Sequence, residues 1–83
     1  MYSLPIWTDD LRPMQLLQEP FCRECAKRGH RVYATVADHV VPHRGNMDLF
    51  TDRGNLQSLC KRCHDRKTML EMHAEKRAKR ANL

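Results

Sequence analysis

The chain has 83 residues, of which 41% are hydrophobic and only 6% aromatic, with a formal charge of +5. A single domain of this length builds a thin core of marginal stability, so a metal site or disulfides are expected to staple it. The first 20 residues carry Asp9, Asp10 and Glu19 and no continuous apolar run, which argues against a signal peptide or a membrane span and makes a reducing cytoplasm the default.

In chain order, Trp7, Leu11, Met14 and Leu17 recur at helical spacing. They predict a short amphipathic helix before Pro20 whose stripe is a packing face, with Pro13 tolerable only in its first turn. "CRECAKRGH" (22–30) reads as a tight turn closed by Gly29. "RVYATVADHVVPH" (31–43) is rich in β-branched residues and predicts a strand stopped by Pro42. "RGNMDLFTDRGN" (44–55) reads as a loop with an apolar plug at Leu49 and Phe50, and "LQSLC" (56–60) as a short strand. From Lys61 onward no Gly or Pro interrupts a run dominated by Ala, Glu, Lys, Arg, Met and Leu, so a long helix is expected.

That last segment also holds the net charge. Residues 61–80 contain eight Lys or Arg against three Asp or Glu, while the remaining chain balances at seven of each. The asymmetry suits a polyanionic partner, although a solvated helix face produces the same pattern. The expected organisation is one small α+β domain over residues 1–83. It comprises a helical arm (1–20), a core (21–68) and a basic helical tail (69–83).

Cys22-x2-Cys25 and Cys60-x2-Cys63 are two matched pairs separated by 34 residues. Two such knuckles can bring four thiolates to the corners of a tetrahedron, as structural zinc prefers. Three other readings compete. A redox CxxC is disfavoured by the presence of two pairs and no βαβ pattern. Disulfides would need an oxidising compartment. "CKRCH" also matches the attachment motif of c-type haem, but haem would leave "CREC" unexplained. With zinc, metal binding and folding are expected to be one event.

Asp38, His39, His43, Asn55 and His64 are the remaining polar residues around these knuckles. The ordered set "DHVVPHRG", "NLQSLCKRCH" and "DRKT" resembles the HNH endonuclease family of the ββα-metal (His-Me finger) class. The version with two CxxC pairs is similar to small stand-alone phage nucleases, and the core match runs over residues 21–68. The resemblance implies a metal-dependent endonuclease that hydrolyses phosphodiester bonds of DNA. It implies His39 as general base, Asn55 as the residue that bonds near that base and fixes its orientation, and Asp38 and His64 as ligands of one catalytic divalent ion. That ion would be Mg2+, Mn2+, Ni2+ or Zn2+, beside a structural Zn2+ on Cys22, Cys25, Cys60 and Cys63.

The residue types suit that chemistry. Phosphodiester hydrolysis needs a base for the attacking water, a cation against the developing charge, and in-line positioning. A neutral imidazole is a competent base near pH 7. Neighbouring strand residues point to opposite faces, so Asp38 and His39 could serve two sides of one phosphate if the strand ends there. Each residue also has a plain reading taken singly. Asp38 could cap a turn, Asn55 could be a turn residue, His39 a packed histidine and His64 a spare zinc ligand or surface residue.

His43 lies roughly 13 Å from His39 if the run stays extended, too far to share a proton unless Pro42 bends the chain. A phosphate contact or a support role is therefore expected of it, not a second base. His30 and His73 read as surface residues. Arg44, Arg62, Arg66 and Lys67 are expected to touch phosphates, the last three near His64, with Lys76, Arg77, Lys79 and Arg80 extending the track. Such contacts predict salt-dependent, weakly sequence-specific binding of double-stranded DNA. The resemblance also suggests phage packaging proteins as partners. The competing reading is a zinc-stabilised nucleic-acid-binding module that does not cut.

Overall fold

The structure is a computed structural model that describes residues 1–81, with side chains described to Arg77. The chain begins with a π-helical turn, Ile6–Leu11, which runs directly into α1, Arg12–Gln18. Pro13 lies in the first turn of α1 and has no N–H to give the preceding turn. The helix widens there, and the Arg12 N–H reaches back to the Trp7 carbonyl.

That widening changes which side chains face inward. Trp7 and Leu11 are buried as expected, but the next inward position is Gln15, while Met14 and Leu17 are exposed. The expected stripe through Met14 and Leu17 is thus displaced by the extra residue in the π turn. Gln15 is accommodated because its amide donates to the Ser58 hydroxyl (3.0 Å) and to Glu19 (3.1 Å). Glu19 in turn accepts from the Ser58 N–H (2.7 Å) and from Arg23 (2.9 Å). Burial pushes the Glu19 carboxyl up, but the bonds from Arg23 and Ser58 outweigh it and hold the group below its usual range.

Strands β1, Val36–His39, and β2, Leu56–Leu59, form an antiparallel two-stranded sheet in which Asp38 pairs with Gln57 and His39 with Leu56. The strand expected over residues 31–43 is therefore shorter than its β-branched composition suggests. Upstream, the chain makes only an isolated bridge, Phe21 to Tyr33, with the two rings stacked 4.9 Å apart. Downstream it leaves the ladder after His39. The region expected to be loop contains a helical turn, α3, Met47–Thr51, capped by the Asn46 side chain, which accepts from the Asp48 and Leu49 N–H groups. A short 3-10 turn, Arg53–Asn55, leads into β2.

The sheet separates two small cores. One packs Trp7, Leu11, Ala37, Phe50 and Leu56; the other packs Cys22, Leu59 and Cys63. Helix α2, Arg23–Lys27, completes the first knuckle, and Gly29 (φ +80°) closes it, as the turn reading anticipated. Helix α4, Lys61–Ala81, forms the second. The architecture is the expected small α+β arrangement of a sheet, short helices and one long C-terminal helix. Among the described residues no helix is long and apolar enough to cross a membrane.

Candidate active site

The four cysteines converge. Their sulfurs all lie within 4.8 Å of one another, with Cys25 3.9 Å from Cys60 and 3.8 Å from Cys63. Four sulfurs at about 2.3 Å from a tetrahedral zinc would sit about 3.8 Å apart, so the donor set fits a zinc knuckle. All four are free thiols, which sets the disulfide reading aside. Crowding divides them. Burial raises the Cys22 thiol, but N–H donors from Cys25 and Cys60 prevail and bring it down to about 7. Burial and the neighbouring sulfurs push Cys63 up to about 12. A soft dication at the centre removes that conflict, since each thiolate then faces positive charge.

Cys63 and His64 are consecutive on α4 and so point about 100° apart. Cys63 turns into the cluster. His64 turns toward β1, where its Nε2 lies 3.8 Å from Asp38 Oδ1. The other Asp38 oxygen accepts from Gln57 (3.3 Å) and from the Lys67 ammonium (3.1 Å), which also binds Glu71. Asp38 is thereby held with one oxygen presented to His64. One carboxylate oxygen and one imidazole nitrogen at this spacing can share a borderline divalent ion while leaving its other positions open. Both residues line a cleft of about 390 Å³ with Tyr2, Trp7 and Arg12.

His39 occupies the opposite face of β1, as the two-residue period of a strand requires. It is 3% exposed and packs against Trp7 and Phe50, each ring centroid 5.3 Å away. Its Nε2 lies 3.0 Å from the Phe50 carbonyl oxygen. A carbonyl can only accept, so Nε2 carries the proton and Nδ1 of the neutral ring keeps a lone pair. The strand ends at His39.

Asn55 makes no hydrogen bond to His39. Its carbonyl oxygen accepts from the Val41 N–H (2.9 Å), and its amide donates to the carbonyls of Val41 (2.9 Å) and Leu49 (3.2 Å). Asn55 thus pins the chain just after His39 to the helical turn whose Phe50 carbonyl holds the imidazole. The side chains touching His39, Trp7 and Phe50, were read in the sequence only as packing residues. A backbone carbonyl leaves no signature in a sequence at all.

His43 is far closer than an extended chain allows. Its ring centroid is 4.9 Å from that of His39, because the backbone bends at Val40 and Val41 as soon as it leaves the strand. The extended-chain distance is thereby corrected. Its Nδ1 accepts from the Gly45 N–H (3.1 Å), and its Nε2 meets the Tyr2 hydroxyl at 2.9 Å. Both nitrogens are engaged. Burial, then His39 and the chain's N-terminal charge, lower the His43 pKa and favour the neutral ring.

The cationic residues divide between two faces. Lys67 reaches Asp38, but its ammonium is shared between that carboxylate and Glu71. Arg44 pairs with Glu75 (3.3 Å), which also lies on α4. Arg62 and Arg66 lie about 160° around the helix from His64. They line a separate cavity of about 570 Å³ with Arg28, His30 and the knuckle residues Cys25 and Cys63, so they do not gather beside Asp38 and His64 as anticipated. His30 and His73 are exposed, as read from the sequence. Lys79 and Arg80 lie outside the residues whose side chains are described.

The family model of the HNH endonuclease matches residues 22–69 of the chain. Among solved structures, the chain is similar to an HNH endonuclease of the deep-sea thermophilic bacteriophage GVE2, crystallised with a manganese ion. The identity is 31% and the TM-score 0.79, over 88% of this chain and 79% of the other. No protein of curated function matches the chain.

Proposed function

The chain belongs to the HNH endonuclease family, and from that premise we propose that it is a metal-dependent DNA endonuclease. His39 is its general base, and Asp38 and His64 hold the one catalytic divalent ion. The observation that carries the reading is the placement of Asp38 and His39 on opposite faces of a strand that ends there. His64 stands 3.8 Å from Asp38, and the imidazole of His39 is fixed with Nδ1 free.

In this scheme the ion, Mg2+, Mn2+, Ni2+ or Zn2+, supplies Lewis acidity at the phosphate and the leaving oxygen. The residues of the chain do the rest. The Phe50 carbonyl keeps the proton of His39 on Nε2, so that Nδ1 accepts the proton of the attacking water. Gln57 and Lys67 anchor the distal oxygen of Asp38. Asn55 keeps the backbone on both sides of the base in register. The cysteine cluster holds a structural zinc that ties α2 to α4.

DNA is the substrate, double-stranded and met mostly through its phosphates. Arg44, and Arg62 and Arg66 on the knuckle face, supply charge, and Lys67 joins them if the metal displaces it from Asp38. Phosphate contacts of this kind carry little sequence information. Nicking and double-strand cutting are both open to such a site. Phage packaging proteins are proposed partners and the cytoplasm the proposed location.

Supercoiled plasmid tests the reading. With Mg2+, Mn2+ or Ni2+ the wild type should nick or linearise it, and His39→Ala should lose roughly 10²–10⁴ in rate. Equal cleavage by both proteins would remove His39 as the base. Retained DNA binding without cleavage under any of these metals would favour the non-catalytic binding module.

A further inference from the structure

The reading above leaves Tyr2 and His43 without assigned work, although Tyr2 lines the cleft and His43 bonds to its hydroxyl. The Tyr2 ring meets Trp7 at 5.1 Å, Phe50 at 5.5 Å and His43 at 5.7 Å, each edge to face. Edge-to-face contacts of this kind favour a defined ring orientation. The same ring lines the cleft shared by Asp38 and His64. An arm that only covered the core would have no reason to direct a phenol there.

Hydrogen-bond direction then decides what the phenol can do. The Gly45 N–H can only donate, so His43 Nδ1 accepts and the proton of the neutral ring sits on Nε2. That N–H donates to the Tyr2 oxygen across 2.9 Å. Among the described residues, the Tyr2 hydroxyl then has no acceptor for its own proton. The backbone is bent to produce this arrangement. Arg44 adopts a left-handed conformation that non-glycine residues rarely take, and with Gly45 it swings the Gly45 N–H back onto His43.

We propose that Tyr2 is a substrate-contacting residue of the nuclease site, donating its hydroxyl proton to a non-bridging oxygen of the bound phosphate, and that His43 is the positioning residue that aims it. The proposal rests on the nuclease reading for its substrate. Burial and the carboxylate of Asp38 raise the Tyr2 pKa, which Lys67 partly opposes, and a phenol near neutral pH is a hydrogen-bond donor. Donors aimed at phosphate oxygens act most where the charge grows, so the contact should weigh more on cleavage than on binding.

Tyr2→Phe tests this with the ring packing retained. Two readouts are needed: single-turnover cleavage of a duplex oligonucleotide in Mn2+, and binding of the same duplex without added divalent metal. The expected result is a roughly 10-fold loss in cleavage, a smaller loss in affinity and an unchanged melting temperature. His43→Ala should lower cleavage similarly in the wild-type background and add little in the Tyr2→Phe background, because the two act as one unit. Unchanged cleavage and binding by Tyr2→Phe would overturn the contact. So would faster cleavage by Tyr2→Ala, which would make the arm a cover over His39. If the wild type binds but never cuts, the nuclease reading fails separately. The contact is then judged by binding alone, where weaker Tyr2→Phe affinity supports it and equal affinity overturns it. A wild type that neither binds nor cuts overturns both.

Discussion

Four thiols converge at the cysteine cluster, whereas a carboxylate and an imidazole alone face each other at the cleft, 3.8 Å apart. The two sets share a stretch of helix, with Cys63 feeding one and His64 the other. In the cluster Cys22 and Cys63 are buried and pack with Leu59, and four thiolates would fill every position of a tetrahedral metal. At the cleft Asp38 and His64 remain partly open, and the Asp38 carboxylate is paired with Lys67. A closed set of four ligands suits a metal that holds the fold, and an open set of two suits a metal that must also take water and substrate. One residue of helical rotation separates these duties.

The largest effect expected on this contrast comes from Cys60→Ser. Structural zinc supplies roughly 10–16 kcal/mol in zinc-dependent folds of peptide size, so this variant should lose its zinc and its cooperative thermal transition together. A folded, zinc-free Cys60→Ser protein, seen by circular dichroism and metal analysis, would show that the cluster does not hold the domain together.

A smaller effect lies in the polar network that joins the N-terminal helix to β2. Glu19→Gln should destabilise the protein by roughly 1.5–3 kcal/mol at neutral pH, the usual scale for a hydrogen bond to a charged group. The folded-state pKa of Glu19 is depressed. Its contribution is therefore fully present above the unfolded carboxylate pKa and is lost as pH falls through the folded value. Denaturant titrations of the two proteins should converge in acid. A gap that persisted there would mean that the charge of Glu19 is not what stabilises the network.

The smallest effect concerns the knuckle face. Arg62→Gln and Arg66→Gln should each reduce the salt dependence of DNA binding by about one phosphate contact and leave the single-turnover cleavage rate nearly unchanged. A large fall in that rate would place these arginines at the reacting phosphate after all, against their position across the helix from His64.

Much of this contrast was legible in the sequence. Two matched CxxC pairs forecast the cluster, an uninterrupted helical run forecast α4, and the two-residue period of a strand forecast that Asp38 and His39 would diverge. The missed features depend on backbone detail that side-chain patterns do not carry. A π turn before Pro13 moved the inward position to Gln15. Asn46 was a cap hidden inside what read as a loop, and the helical turn that it starts supplies the carbonyl on His39. A bend at Val40 and Val41 folded His43 back toward His39, and the left-handed Arg44 and Gly45 after it turned the Gly45 N–H onto the His43 ring. The separation of Arg62 and Arg66 from His64 could have been found by counting rotation around the helix; nearness in sequence concealed it.

Metal content and cleavage measured on one preparation of His64→Ala test the separation of the two metal sites most directly. The variant should retain one tightly bound zinc per chain and the wild-type melting transition, yet lose metal-dependent plasmid cleavage by at least about 100-fold. Loss of the zinc from His64→Ala would contradict the account, because the histidine would then belong to the cysteine cluster and not to the cleft.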